Sequence, residues 1–145
     1  MTNSNQTVYL ISCSKTKADG TRIAKEMYVS ALFKKSIEFA ESQGGEVAIL
    51  SAKYGAILPD DIIDTYNITL NDMDKEQKIA WAMLVYNSLV NRFGINRDYC
   101  FLAGKSYYQE LIKIMELEGI RYSIMMESMG IGQRLRFLNE QLKIK

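Results

Sequence analysis

Four short segments of this chain combine hydroxyls, small residues and a cation. They are Ser12-Cys13-Ser14-Lys15-Thr16-Lys17, Ser51-Ala52-Lys53-Tyr54-Gly55, Gly104-Lys105-Ser106-Tyr107 and Glu127-Ser128-Met129-Gly130-Ile131-Gly132-Gln133-Arg134. Hydroxyls and exposed backbone N–H groups donate to anionic oxygens. Small residues let a ligand approach the backbone, and a lysine or arginine supplies the countercharge. These residue types suit the holding of a phosphate. Lys15, Lys17, Lys53 and Arg134 are the candidate phosphate holders, and Tyr54, Tyr66 or Tyr107 would stack on a base. Ser12, Cys13, Ser14, Ser51, Gly55, Gly104, Gly130 and Gly132 complete the loop residues expected at the ligand. Gly130-Ile131-Gly132 lacks the third glycine and the second βα unit of a nicotinamide-dinucleotide site, and Ser14-Lys15-Thr16 lacks the glycines of a P-loop.

The chain contains no histidine. That excludes a Ser-His or Cys-His nucleophile pair, a histidine base and a histidine metal ligand. Acid–base chemistry would fall to carboxylates, and Asp61, Asp64 and Glu127 are the candidates, with Asp60 beside them. Asp60 reads equally as a turn residue after Pro59, and Asp72 as a helix cap. The acidic residues in 60–64 lack the spacing of a known metal site, so neither a metal nor another cofactor is expected. Cys13 and Cys100 sit in apolar runs and form no CxxC pair, which fits a reducing compartment. With no histidine to activate it, Cys13 reads as a small apolar residue before it reads as a nucleophile.

The elements that must position these loops follow from periodicity. Apolar runs at 7–13, 46–51, 99–104 and 121–128 read as strands covered on both faces. Between them lie helical faces: Tyr28, Leu32, Phe33, Ile37 and Ala40; Ile79, Met83, Tyr86, Val90 and Phe93; Tyr108, Leu111, Ile112 and Met115; and Ile131, Leu135, Leu138 and Leu142. Gly44 and Gly94 would close the first two helices, and the second would open near Asn71 or Asp72. The alternation predicts one α/β domain over 1–145: a Rossmann-like three-layer α/β/α sandwich with a mainly parallel four-stranded sheet of order 2-1-3-4. Ligands in such folds bind beyond the carboxyl ends of the strands, where all four loops fall. The segment 54–70 reads as a long loop that could return over the site.

Net charge is +1 over 145 residues, so nucleic-acid affinity could come only from local clustering. The polar start, residues 1–6, is the expected loose segment. With no signal-like opening and no long apolar run, a cytoplasmic protein with no membrane partner is expected.

The stretches "SCSKTK" (12–17), "MYVSALF" (27–33), "SAKYGAILPDDIIDTYNITL" (51–70) and "MGIGQRLRFLN" (129–139) resemble a small bacterial and phage family of uncharacterised domains, itself similar to parts of the YaaA peroxide-stress proteins. Thr65 stands before Tyr66 where the family pattern has a second proline. The resemblance implies a compact α/β domain with a pocket built from these motifs, which adds Tyr28 to the ligand-binding candidates. The YaaA proteins are longer, so their association with DNA binding and oxidative-stress protection is implied less directly than the fold. The function expected from these readings is action on a nucleotide, nucleoside or nucleic-acid base, by breaking or exchanging an N-glycosidic bond through carboxylates. The alternative is a non-catalytic binder of nucleic acid or of a nucleotide signal. The oligomeric state is not legible.

Overall fold

A computed structural model describes residues 7–143 of the chain. The expected loose start, residues 1–6, lies outside the described residues. The strands are β1 (Thr7–Ser12), β2 (Thr21–Ile23), β3 (Glu46–Ser51), β4 (Gly55–Ile57), β5 (Ile62–Asp64), β6 (Asp98–Leu102) and β7 (Arg121–Ile124). The helices are α1 (Ala24–Met27), α2 (Ala31–Ser42), α3 (Lys75–Phe93), α4 (Lys105–Leu117) and α5 (Ile131–Lys143).

The main sheet has five strands in the order β4-β3-β1-β6-β7, with β2 and β5 forming a separate antiparallel pair. Parallel pairing joins β3, β1, β6 and β7, while β4 runs antiparallel to β3. The four-strand expectation is corrected by this added edge. β4 has only three residues, too few to show periodicity in the sequence.

The continuous apolar runs are explained by burial on both faces. In β1, Val8 and Leu10 enter one core with Trp81, Val85 and Leu89 of α3 and Leu111 and Met115 of α4. Tyr9 and Ile11 enter the other with Phe33 and Ile37 of α2 and Leu138 of α5. Burying such a side chain is worth about 1.5–3 kcal/mol, and β1 sends four fully or almost fully buried apolar side chains, Val8 to Ile11, into the two cores. Gly45 sits where a Cβ would lie 2.5 Å from the Tyr9 ring, so the turn into β3 needs its missing side chain.

Several local expectations are corrected. α3 starts at Lys75 behind an Asp74 cap whose carboxylate accepts from Gln77 N at 2.8 Å, because Leu70–Asp72 forms a 3-10 turn of its own. The buried face of α3 is Trp81, Ala82, Val85, Leu89 and Phe93, while Ile79 and Met83 are exposed. Tyr28 lies before α2 rather than in it, and Ile131 is exposed at the start of α5. β7 stops at Ile124; Met125–Ser128 turn, with Met126 and Ser128 at φ 60° and 68°.

The segment 54–70 is no loose loop. β4 and β5 order it, and β5 pairs with β2 in the register Thr21↔Asp64. Ala24 N donates to Asp61 O at 2.7 Å and Lys25 N to Pro59 O at 2.9 Å, so residues 59–64 are sewn to 21–25.

Candidate functional site

The carboxyl end of β1 leads into two neighbouring regions that meet at Cys13. Cys13 N donates to Leu50 O at 2.9 Å, which extends the β1–β3 pairing one residue past the strand and fixes where the loop departs. Val29 N then donates to Thr16 O and Ala18 N to Met27 O, pinning loop 14–18 against the approach to α2.

The first region is an open cleft of about 370 Å³. Its walls are Ser12 to Thr16, the start of α2 (Ser30 to Phe33, with Ser36) and Ile131, Arg134 and Leu135 of α5. Its floor is apolar: Ile11, Leu102 and Met126. Ser30 caps α2, its hydroxyl accepting from Phe33 N at 3.2 Å. Ala31 and Leu32, one and two residues after the cap, therefore present backbone N–H groups of the helix's first turn, where the helix dipole is positive. Arg134 is held by its Nε, which donates to Met129 O at 3.0 Å. No carboxylate lines the cleft, and neither Lys15 nor Arg134 forms an ion pair among the described residues. The cleft therefore carries a net positive charge over an apolar floor.

The second region is a hydroxyl cluster. Tyr66 OH shares hydrogen bonds with Ser51 Oγ at 2.8 Å and Tyr28 OH at 2.6 Å. Ser51 Oγ also accepts from the backbone N–H groups of Lys53 and Tyr54, so one hydroxyl shapes the whole Ser51–Gly55 turn. Trp81 Nε1 donates to Ser51 O at 2.9 Å. Tyr107 OH and Cys13 Sγ share a hydrogen bond at 3.1 Å. Gly55 enters β4 at φ +75°, a conformation that side chains resist. Burial pushes the Tyr28 hydroxyl up to about 12, with the bonds to Tyr66 and Ser51 opposing. Burial, then the nearby Cys13, also raises Tyr66 and Tyr107 far above the ordinary tyrosine range. These hydroxyls stay neutral donors at physiological pH and are poor bases.

Ser12, Cys13, Ser14, Lys15 and Arg134 thus gather at the cleft. Tyr28, Ser51, Tyr54, Tyr66 and Tyr107 gather in the cluster; Tyr54 meets Tyr66 edge-on at 5.6 Å. Lys17 and Lys53 lie on the cluster side, their ammonium groups 4.5 Å from the centre of the Tyr66 ring and 5.2 Å from that of Tyr54. Gly104 is the cap residue of α4, and Gly130 N donates to Gln133 Oε1 at the start of α5.

The candidate carboxylates are elsewhere. Asp61 accepts from Leu58 N at 2.8 Å and closes a turn; Asp64 accepts from Thr21 Oγ1 across the β2–β5 pair; Asp60 faces Lys25 at 3.7 Å. All three are exposed, and none lines the cleft. Glu127 borders a second, shallower depression beside Lys105 and Arg134. Of the motif that forms the α2 wall, the site expectations named only Tyr28 and none of Ser30 to Phe33. The signal was present in Ser30, a cap residue immediately before the apolar-periodic Ala31-Leu32-Phe33. Among the described residues no group of three or more His, Cys, Asp or Glu side chains is placed to hold a metal, and no helix is long and apolar enough to cross a membrane.

The chain belongs to a family of unknown function, DUF6884, whose pattern matches residues 8–140. No curated protein and no solved structure matches it significantly.

Proposed function

We propose that this protein binds a phosphorylated small molecule of the nucleotide class in the cleft between the Ser12–Thr16 loop, α2 and α5. The observation that carries this reading is the pairing of Lys15 and Arg134 with the α2 N-terminus around a cleft that no carboxylate lines. An arginine and a lysine over helix N–H groups form a phosphate cradle. The apolar floor of Ile11, Leu102 and Met126 suits a flat heterocycle joined to that phosphate. A Rossmann-like arrangement of the sheet, with the cleft beyond the carboxyl ends of β1 and β6, supports the same placement.

The test is calorimetric titration with a panel of mononucleotides and their nucleosides. Saturable binding of the nucleotides, weakened by salt and by at least about tenfold in Lys15→Ala or Arg134→Ala, is expected. Equal binding of nucleoside and nucleotide, or none by either, overturns the reading.

Cleavage of an N-glycosidic bond is the second reading, and Glu127 favours it: this carboxylate borders the depression that shares Arg134 with the cleft. Such a carboxylate could stabilise an oxocarbenium-like sugar. Base release from nucleosides, nucleotides or modified DNA that disappears in Glu127→Gln would support it. Absence of release from the whole panel overturns it and leaves a binding protein.

A further inference from the structure

Arg134 faces two cavities. On one side lies the cleft; on the other lies an open depression of about 700 Å³, bordered by Lys105, Gln109, Tyr122, Glu127 and Ser128. The wall between them is the turn that follows β7. Met126 lines the cleft while Glu127 and Ser128 border the depression. Met126 and Ser128 both occupy the left-handed region, at φ 60° and 68°, although neither is glycine. Backbone strain of this kind persists where the surrounding structure enforces it, and it gathers at ligand sites.

We propose that the two cavities together take a 5′-phosphorylated linear dinucleotide, two nucleosides joined by one phosphodiester and carrying a terminal phosphate, with Arg134 on the joining phosphate. This rests on the nucleotide reading of the cleft and extends it. The chemistry of the parts matches the order of the ligand's parts. The apolar floor of the cleft takes the first base. Arg134, common to both cavities, takes the phosphate between. The depression supplies what a second nucleotide needs: the half-buried Tyr122 ring as a stacking surface, Gln109 and Glu127 for the edge of a base, and Lys105 for a further phosphate. Glu127 accepts from an exocyclic amino group, which gives the carboxylate a role that a pure phosphate site would penalise. Lys105 opens α4 and borders the same depression.

The probe is 5′-phosphorylated diadenylate, titrated by calorimetry against AMP and ADP. The diadenylate should bind about tenfold or more tighter than AMP, the worth of one additional stacked base. ADP, which adds a phosphate but no second base, should gain less. In Lys105→Ala and in Gln109→Ala the ratio of diadenylate to AMP affinity should fall, with unchanged thermal melting showing that the variants fold. Diadenylate no tighter than AMP, or ADP gaining as much as diadenylate, overturns the two-cavity proposal while leaving the cleft a nucleotide site. Failure of all three probes to bind overturns both.

Discussion

The cleft and the tyrosine cluster share Cys13 and are built on opposite principles. In the cluster every polar group is answered within the chain: Tyr66 bonds Ser51 and Tyr28, Ser51 bonds two backbone amides, and Tyr107 bonds Cys13. No buried side-chain nitrogen or oxygen among the described residues lacks a partner. In the cleft neither Lys15 nor Arg134 has an ion-pair partner among the described residues, and the start of α2 lines the cavity. A satisfied network rigidifies. The difference separates, within the same motifs, the residues that hold the scaffold from those that the proposed ligand would meet. "SCSKTK" itself divides between them: Lys15 lines the cleft, whereas Lys17 rests on the Tyr66 ring.

The sharpest way to break this comparison is to remove the cleft's cations together. Lys15→Ala/Arg134→Ala should lower nucleotide affinity by at least about a hundredfold, each charge-assisted contact contributing about 1.5–3 kcal/mol, with little change in melting temperature. Loss of stability without loss of affinity would reverse the two roles.

Tyr66→Phe should do the converse. It takes one bond each from the fully buried Tyr28 hydroxyl and from Ser51, at a cost of about 1–3 kcal/mol in chemical denaturation, with nucleotide affinity kept within about threefold.

Alkaline pH probes the same cluster without mutation. Within it Tyr28 is raised to about 12 by burial, above the ordinary tyrosine value of 10.0, and Tyr66 and Tyr107 are raised as well; outside it, Tyr99 of β6 is also raised to about 12 by burial. The unfolded chain releases these protons first, so their stabilisation is whole below pH 10 and is lost as pH rises from about 10 toward 12. Each such tyrosine contributes a slope of about 1.4 kcal/mol per pH unit in that window. Denaturant midpoints taken between pH 9 and 11 should fall, and less steeply in Tyr66→Phe.

The smallest effect is expected at Asp61. Asp61→Ala removes one exposed turn bond, to Leu58 N, and should cost about 1 kcal/mol or less while leaving ligand affinity unchanged. A large loss of ligand binding there would bring the carboxylates of 60–64 back into the site.

The central strands were legible because burial on both faces writes a continuous apolar run, as at "TVYLIS" and "EVAILS". The four post-strand loops were legible as loops because small and hydroxyl residues end each apolar run, and two of them, through Ser12–Thr16 and through Ile131 and Arg134, line one cleft. β2, β4 and β5 were not, since three residues cannot display a period of two, and their pairing joins positions 21–23 to 62–64 through contacts that only the folded chain makes. The α3 face was misread because the buried Ala82, Val85 and Leu89 each stand one residue before the apolar Met83, Tyr86 and Val90, which repeat with the same spacing. The division of the tyrosines from the cations was hidden for a related reason: nothing in "SAKYG" says that its serine turns inward to Tyr66.

The most direct test follows backbone amides by NMR while a mononucleotide is titrated into the protein. Saturable shifts should concentrate at Ser14–Thr16, Ala31–Phe33 and Ile131–Arg134, the walls of the cleft. Saturable shifts concentrated at Tyr54–Tyr66 instead, or no saturable shift at all, would contradict the account.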